Sequence, residues 1–371
     1  MISRFVLAAV LAVVMFVCGT SAYLYLGSKQ SKVAAPPEKP TAATPRAQAL
    51  SLPGTLYLAQ SGAIYSLSAG RFHQLTSEAG FAMPTLYPDG SNIIVVRRFP
   101  AYSDLFVLNR GGTIVKQLTN NAGPARSDNS ANHWSFYPRL SADGGTLWMA
   151  YDQPKYGFDV ILSIWAMPLG GTIRQGKLWT SANDYTGGDV QPVPVAGGLI
   201  YTKYDYGPDL KLVGRLWYTN RAGSPGKALT NAAEDCRDPA LSRDGTQLAM
   251  ICTYEKQVSY LTIASWNGSS LGPRKTVVSN LLVAQPTWAP DGSGIAFLAP
   301  AVGAGEFQLW WLPKAAYAPP PPSPAPPPTP GGPHNGPLPT SSPPPPVPPV
   351  KPVQVTTNNG FDATSPLAWL G

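Results

Sequence analysis

The stretch from Gln285 to Phe297 reads QPTWAPDGSGIAF, with two short apolar runs on either side of a Pro-Asp-Gly turn. An Asp-Gly pair between apolar runs is typical of a β-hairpin, because glycine adopts a positive φ without steric cost. Related stretches occur at residues 83–94, 137–144 and 238–245. A motif that recurs along a chain indicates a repeat architecture, and the spacing of its copies predicts the fold.

Each copy is marked by a proline ahead of its turn, and two further prolines continue the series. The six anchor prolines are Pro84, Pro138, Pro192, Pro239, Pro286 and Pro366, with spacings of 54, 54, 47, 47 and 80 residues. A period near 45 residues with four short strands per unit is typical of β-propeller blades. We number the predicted blades 1 to 6 in the order of these prolines. In blade 3 the turn is Gly197-Gly198, but a strand-like run, residues 199–202, still follows it.

The one long spacing contains a proline-rich tract at residues 315–352. Proline has no amide donor, so such a tract cannot pair in a sheet and is expected to be polyproline II and irregular coil. The tract lies between the predicted third strand (residues 307–312) and fourth strand (residues 353–357) of blade 5, and the repeat resumes after it. The tract is therefore interpreted as an insertion within that blade. Three roles remain open for the tract: it is a solvated spacer, it docks into an aromatic groove, or it extends across a cell wall.

The two ends of the repeat region complement each other. Residues 364–371 contain only the first strand of a blade, whereas residues 55–60, 63–68 and 72–76 contain three strands without a first one. Pairing of the two ends completes blade 6 and removes an exposed sheet edge. The prediction is an all-β, six-bladed propeller over residues 54–371, closed by one C-terminal and three N-terminal strands.

The residues before the propeller are of two kinds. Residues 1–27 include 22 almost wholly apolar positions, from Phe5 to Leu26, enough to span a bilayer as a helix. They predict a retained single-pass anchor or, alternatively, a cleaved signal peptide followed by secretion. Residues 28–53 are rich in Ala and Pro and are expected to form a flexible tether. Both readings of residues 1–27 place the propeller outside the cytoplasm, although lysines at positions 29, 32 and 39 run against the positive-inside rule.

Three features resemble the TolB-type β-propeller repeat. They are a Leu-Thr strand that ends several units, as at Leu75-Thr76 and Leu118-Thr119, the turn Ser242-Arg243-Asp244-Gly245 and the apolar strand after that turn. The similarity covers residues 54–371 apart from the proline tract. It implies a six-bladed propeller and a role in the cell envelope, where TolB acts in the Tol–Pal system. TolB carries an α/β domain ahead of its propeller, whereas this chain has the apolar segment and the tether there.

The composition favours some classes of partner over others. The formal net charge is +7, yet no dense Lys/Arg run exists, so a nucleic-acid partner is not expected. Gly268-Ser269-Ser270-Leu271-Gly272 matches G-x-S-x-G, but it is expected in a loop between strands, whereas a nucleophile needs a strand-to-helix elbow. The three histidines show no metal-ligand spacing. We therefore expect no cofactor, no metal, no catalytic residue and a monomeric protein.

Candidate binding residues lie in the loops before the innermost strands, because such loops line one mouth of a propeller's channel. They are His133, Trp134, Tyr185, Asp189, Glu234, Asp235, Arg237, Asp238 and Asp362, with Asp128, Asn132 and Asp184 nearby. The acidic excess predicts a site for a cation or a positively charged peptide, unless these residues are simply polar turn formers. Trp134 and Tyr185 are the predicted aromatic contacts to a partner. His133 either faces the channel or is an ordinary loop residue.

Cys236 and Cys252 flank the turn at residues 243–245. A three-residue loop pairs residue 242 with 246, and in that register the two cysteines lie opposite each other. A cross-strand disulfide is then predicted in an oxidising compartment, whereas a two-residue loop would shift the register by one and prevent it.

Three functional hypotheses follow from these observations. The first is a membrane-tethered, extracytoplasmic propeller that binds an envelope protein, peptide or glycan without catalysis. The second is a hydrolase or lyase that acts on carbohydrate or peptide through carboxylates at the pore mouth. The third is a structural spacer in which the proline tract is the active part.

Overall fold

The computed structural model describes residues 51–125, 128–207, 209–254, 258–301, 304–318, 350–357 and 359–371. Within these ranges, twenty-four strands form six antiparallel sheets of four strands each. The all-β, six-bladed propeller is therefore confirmed. The predicted segment 1–27, residues 28–50 of the predicted tether and residues 319–349 of the predicted insertion lie outside the described residues.

The strands are numbered in chain order. The first twelve are β1 (Thr55–Gln60), β2 (Ala63–Ser68), β3 (Arg71–Gln74), β4 (Phe81–Leu86), β5 (Asn92–Arg98), β6 (Ser103–Asn109), β7 (Ile114–Gln117), β8 (Ser135–Leu140), β9 (Thr146–Tyr151), β10 (Ser163–Pro168), β11 (Lys177–Leu178) and β12 (Asp189–Val195). The others are β13 (Gly198–Tyr206), β14 (Leu212–Thr219), β15 (Lys227–Ala228), β16 (Cys236–Leu241), β17 (Gln247–Cys252), β18 (Tyr260–Ser265), β19 (Lys275–Val278), β20 (Ala284–Trp288), β21 (Gly294–Ala301), β22 (Ala304–Pro313), β23 (Val353–Gln354) and β24 (Ala368–Leu370). Short 3₁₀ turns occur at Asn129–Ala131, Ile173–Gln175, Ala232–Glu234 and Lys314–Ala316.

Each blade follows the predicted order, with the strand at the anchor proline innermost. Blades 1 to 5 begin with β4, β8, β12, β16 and β20, and blade 6 has the order β24-β1-β2-β3. The second strands carry near-continuous apolar runs, such as Ile93–Val96 in β5, whose four residues are fully buried. Such runs suit a strand covered on both faces, here by the neighbouring blades.

The ring closes as expected. In blade 6, Leu56 of β1 pairs with Trp369 of β24, and Tyr57 pairs with Ala368. The Trp369 indole Nε1 also donates to the Pro53 carbonyl oxygen at 2.6 Å.

Blade 5 also rejoins after the proline tract, since Trp310 of β22 pairs with Gln354 of β23. The propeller extends slightly into the range predicted as insertion. Tyr317 is buried, and its ring lies 6.0 Å from that of Trp288.

A β-bulge occurs in five of the six innermost strands, at the residue before the anchor proline. The ladder shifts register there, and the bulged residues have left-handed φ values of 49–55°: Met83, Tyr137, Gln191, Asp238 and Gln285. A left-handed conformation costs a non-glycine residue on the order of 1–3 kcal/mol. Its recurrence in five blades indicates that contacts elsewhere offset that cost.

The bulge corrects the predicted geometry of the cysteine hairpin. Leu241 pairs with Leu248, so residue 242 faces 247 and the expected three-residue loop is wrong. The bulge at Asp238 and Pro239 adds one residue, which brings Cys236 opposite Cys252 with their Cα atoms 4.1 Å apart. The two sulfur atoms form a disulfide in the structure.

No helix within the described residues is long and apolar enough to cross a membrane.

Candidate functional site

The propeller has two faces that differ in how the chain turns. The upper face carries the loops that enter each innermost strand and the loops from each second strand to the third. The lower face carries the Asp-Gly turns. All the binding residues predicted from the sequence lie on the upper face or at the upper ends of innermost strands.

The residues before the anchor prolines form a belt around the upper part of the channel. We call this set the channel belt: Met83, Tyr137, Gln191, Asp238, Gln285 and Ser365. The backbone N–H of a belt residue donates to the side chain of the preceding blade's belt residue. Asp238 N donates to Gln191 Oε1 at 3.1 Å and Met83 N to Ser365 Oγ at 2.8 Å, while Tyr137 N lies 3.4 Å from Met83 Sδ. The bulges thus turn backbone donors across blade boundaries.

Asp238 is the one predicted binding residue that belongs to the belt. Its carboxylate accepts hydrogen bonds from the Gln191 side-chain amide and from Gln285, whose backbone N and Nε2 each lie 3.3 Å away. Burial raises the pKa of Asp238, partly offset by the hydrogen bond from Gln191, the charge of Arg237 and the bond from Gln285. The carboxylate therefore joins blades 3, 4 and 5.

The other acidic residues of blade 4 are held by local partners. Glu234 Oε1 lies 2.6 Å from Arg274 Nε, and its Oε2 accepts from the backbone N of Asn231 at 2.7 Å. Asp235 Oδ1 accepts from Gly214 N at 2.7 Å, and its Oδ2 lies 3.8 Å from Arg237 Nη1. These contacts orient the loop into β16.

Asp189 and Asp362 also have structural partners. Asp189 is fully buried, and its Oδ1 lies 3.2 Å from Lys203 Nζ on the paired strand. Burial raises the pKa of Asp189, and the Lys203 charge partly offsets this rise. Asp362 Oδ1 accepts from the backbone N and the hydroxyl of Thr364 at 2.8 and 2.7 Å, as in a tight turn.

His133 and Trp134 surround a buried carboxylate outside the channel belt. His133 Nδ1 lies 3.0 Å from Asp152 Oδ1, which also accepts from Trp134 N at 2.9 Å. Lys155 Nζ reaches Asp152 Oδ2 at 2.7 Å. The His133 ring stacks on Tyr151 at 5.1 Å, so these contacts account for its position as a loop residue.

Of the predicted partner contacts, Tyr185 is the one on an open surface. It is 77% exposed and has a left-handed φ of 58°. Its carbonyl oxygen accepts from the Tyr206 hydroxyl at 3.0 Å. Asp184 beside it is exposed, whereas Asn132 is buried and accepts from Gly123 N at 2.6 Å, and Asp128 caps a 3₁₀ turn.

Exposed apolar side chains gather on the upper loops of blades 2 and 3. We call this set the upper apolar patch: Tyr156, Phe158, Val160, Tyr185, Tyr206, Leu210 and Leu212. Phe158 and Leu210 are 69% and 80% exposed. Sequence reasoning identified Tyr185 alone among them, because an isolated aromatic or leucine in a loop carries no periodic signal. The belt residues had a signal, since each directly precedes an anchor proline.

The remaining chemical motif does not form a nucleophile site. Ser270 lies in the connection between β18 and β19, not on a strand-to-helix elbow, and its Oγ accepts from Asn267 Nδ2 at 2.8 Å. In the part of the chain that the structure describes, no group of three or more His, Cys, Asp or Glu residues is placed to hold a metal ion.

The chain is similar to known proteins in structure but matches none of those compared in sequence. No protein-family model and no curated protein matches the chain in sequence. TolB from Acinetobacter baumannii matches in structure with a TM-score of 0.53 at 16% identity, over 69% of this chain. The chain spans 60% of the length of that TolB.

Two further structures are similar at lower scores. A putative TolB from Agrobacterium tumefaciens has a TM-score of 0.49 at 14% identity, over 70% of this chain and 85% of its own. A puromycin-hydrolyzing peptidase from Mycobacterium tuberculosis has a TM-score of 0.46 at 16% identity, over 75% of this chain and 47% of its own. At 16% identity the likeness to the TolB from Acinetobacter baumannii shows the fold alone, and at that level the TolB-type resemblance is confirmed.

Proposed function

We propose that the protein is a membrane-tethered, extracytoplasmic β-propeller that binds a protein, peptide or glycan partner of the cell envelope through its upper face, without catalysis of its own. The upper apolar patch is the observation that carries this proposal. Large apolar side chains exposed together on the loops of two adjacent blades are typical of interaction sites. Four of the seven are aromatic, a residue class enriched at binding hot spots.

The contacts made by the carboxylates at the pore mouth support a binding function over a catalytic one. Asp189 is paired with Lys203, Glu234 with Arg274, and Asp238 is bonded to two glutamines. A general acid or base must reach the substrate proton, and these groups already serve the fold. The competing hydrolase or lyase requires at least one of them to act on substrate. In that case, joint substitution of the three by Asn or Gln abolishes turnover in a carbohydrate and peptide screen while the fold persists.

The proposed location rests on the apolar segment Phe5 to Leu26 and on the cysteine pair. Disulfides persist in oxidising, extracytoplasmic compartments, which suits Cys236 and Cys252. Membrane fractionation with protease digestion of intact cells tests it. A single-pass protein pellets with membranes and is digested from outside, whereas cleavage near residue 22 releases a soluble form.

Site-specific photo-crosslinking tests the proposed binding face. The full chain carries a photoreactive phenylalanine at Phe158 or Tyr185, and a matched control carries it at Val115, which is exposed on the outer strand β7 of blade 1. We expect positions 158 and 185 to capture the same envelope component and position 115 not to. Sensitivity of the product to protease or to glycosidase distinguishes a protein from a glycan. Capture from position 115 alone, or substrate turnover without any captured partner, would contradict the proposal.

A further inference from the structure

The channel below the belt contains a cavity of about 310 Å³ to which all six innermost strands contribute. Arg139 of β8 is the one charged side chain that lines it. Thr85 and Thr287 line it as well, and the remaining walls are mostly Pro, Leu, Val and Ala. A single guanidinium therefore lies at a cavity on the propeller axis that no other charged side chain lines.

Arg139 has no anionic partner among the described residues. Its one hydrogen bond to a described residue is a long contact from Nη1 to the Pro138 carbonyl oxygen at 3.5 Å. Other arginines form ion pairs with acidic side chains, such as Arg215 with Asp205 at 2.6 Å and Arg274 with Glu234 at 2.6 Å. Burial lowers the pKa of Arg139 to about 10, with no acidic group to offset it, so it remains a cation at neutral pH. A partly desolvated cation without a counter-ion is costly unless an anion accompanies it.

The chamber is reached from the lower face. A second cavity of about 480 Å³ shares Leu86, Leu241 and Thr287 with it and widens between the Asp-Gly turns. Arg243 lies at this outer cavity, together with aromatic side chains from three blades: Tyr87, Trp288 and Trp369. An anion thus meets one arginine at the entrance and a second one inside, along an aromatic-lined path.

We propose that the propeller channel binds a carboxylate at Arg139, entered from the lower face and separate from the upper apolar patch. The planar guanidinium fork matches the two oxygens of a carboxylate. The Thr85 and Thr287 hydroxyls have no side-chain hydrogen bond in the described structure, so both are free to donate to the same group. The chamber volume fits a small organic acid or the C-terminal end of an extended peptide, which share this chemistry.

Titration calorimetry of the full chain in detergent tests the site, with sodium acetate, acetylated trialanine, the amide of that peptide and sodium phosphate as probes at constant ionic strength. We expect saturable binding of the two carboxylates and none of the amide. Arg139→Gln should weaken binding at least about tenfold, and Arg139→Lys, which keeps the charge but not the fork, should weaken it less. Arg71→Gln, on an exposed outer strand, is the control and should bind as the wild type does.

The calorimetry distinguishes a peptide terminus from a free acid and can also overturn the proposal. Tighter binding of acetylated trialanine than of acetate assigns the site to a peptide terminus, and equal binding assigns it to a free acid. Wild-type affinity in Arg139→Gln, equal binding of the amide, or tighter binding of phosphate than of either carboxylate would overturn the proposal. Should Arg139→Gln fail to fold, Thr287→Val gives the same test, because it removes one donor without changing side-chain size and should weaken acetate binding severalfold.

Discussion

Asp238 is the residue at which the hydrogen bonds of the channel belt converge, and its ionisation affects stability in a direction unusual for a carboxylate. Burial raises its pKa above the ordinary value of 3.8, so the folded state keeps the proton to higher pH than the unfolded chain does. Stability rises with pH wherever the unfolded state binds more protons, and here the folded state does. The contribution of Asp238 must therefore fall as pH rises from 3.8 through its folded-state pKa.

The first prediction follows from that sign. The free energy of unfolding of the wild type, minus that of Asp238→Asn, should decrease between about pH 3 and about pH 8. Urea denaturation of both proteins across this range measures it. Asp291→Asn is the matched control of opposite sign, because the hydrogen bonds from Ser293 lower the pKa of exposed Asp291. For Asp291 the same difference should increase with pH, and parallel curves for the two variants would contradict the assignment.

A second residue-scale prediction concerns the glutamine that joins blades 3 and 4. Gln191→Leu removes a donor to the Asp238 carboxylate and the acceptor for Asp238 N and the Thr202 hydroxyl. Leaving a buried carboxylate short of donors should cost about 2 kcal/mol or more in the free energy of unfolding. A double-mutant cycle with Asp238→Asn supplies the control, because the cost must shrink once the charge is gone. Additive effects would show that the two side chains act independently.

Among the elements, the bulged innermost strand determines which cross-strand neighbours meet. The bulge at Asp238 brings Cys236 opposite Cys252, and the equivalent bulge at Gln191 brings Asp189 opposite Lys203. The residue two positions before the bulge thus faces the same partner position in both blades. A disulfide holds that place in blade 4, and an ion pair holds it in blade 3.

This equivalence predicts that the disulfide can be transplanted. Asp189→Cys combined with Lys203→Cys should oxidise spontaneously, since the two residues are directly paired. Val190→Cys with Lys203→Cys is the control and should remain reduced, because adjacent residues of a strand point to opposite faces. Peptide mapping without reductant reports both. A new bond in the control, or none in the designed pair, would show that the register differs from the one described.

The native cysteine pair gives a prediction of its own. Replacing Cys236 and Cys252 together by Ala should lower the free energy of unfolding by about 2–3 kcal/mol. The disulfide joins two residues 16 positions apart and so reduces the conformational entropy of the unfolded chain. Reductant should destabilise the wild type by a similar amount and leave the double variant unchanged. Free thiols at both positions in peptide mapping of the untreated protein would instead show that the pair is not oxidised.

For the whole molecule, the repeat made the architecture predictable and left most of the binding chemistry hidden. Asp-Gly turns and anchor prolines are local signals, so the blade number and the closure followed from them. Belt contacts join residues one repeat apart, as Gln191 and Asp238 are at a separation of 47, and only the folded ring brings them together. Arg139 gave no signal either, because its isolation depends on what the other five strands place around it.

Closure of the ring is a property of the whole molecule, and it can be tested by substituting one side chain, Trp369. Trp369 sits in β24, donates to Pro53 and packs edge-on against Trp311 of blade 5 at 5.7 Å. It therefore joins the C-terminal strand to the N-terminal edge and to the neighbouring blade. Trp369→Ala should cost about 2–4 kcal/mol, as truncation of a largely buried tryptophan does, whereas Val115→Ala at an exposed position of β7 should cost well under about 1 kcal/mol. Because β24 protects the edge of β1, hydrogen exchange in Thr55–Gln60 should accelerate in Trp369→Ala far more than in Gln247–Cys252 of blade 4. Uniform acceleration across both strands would mean that the ring opens as one cooperative unit rather than at this seam.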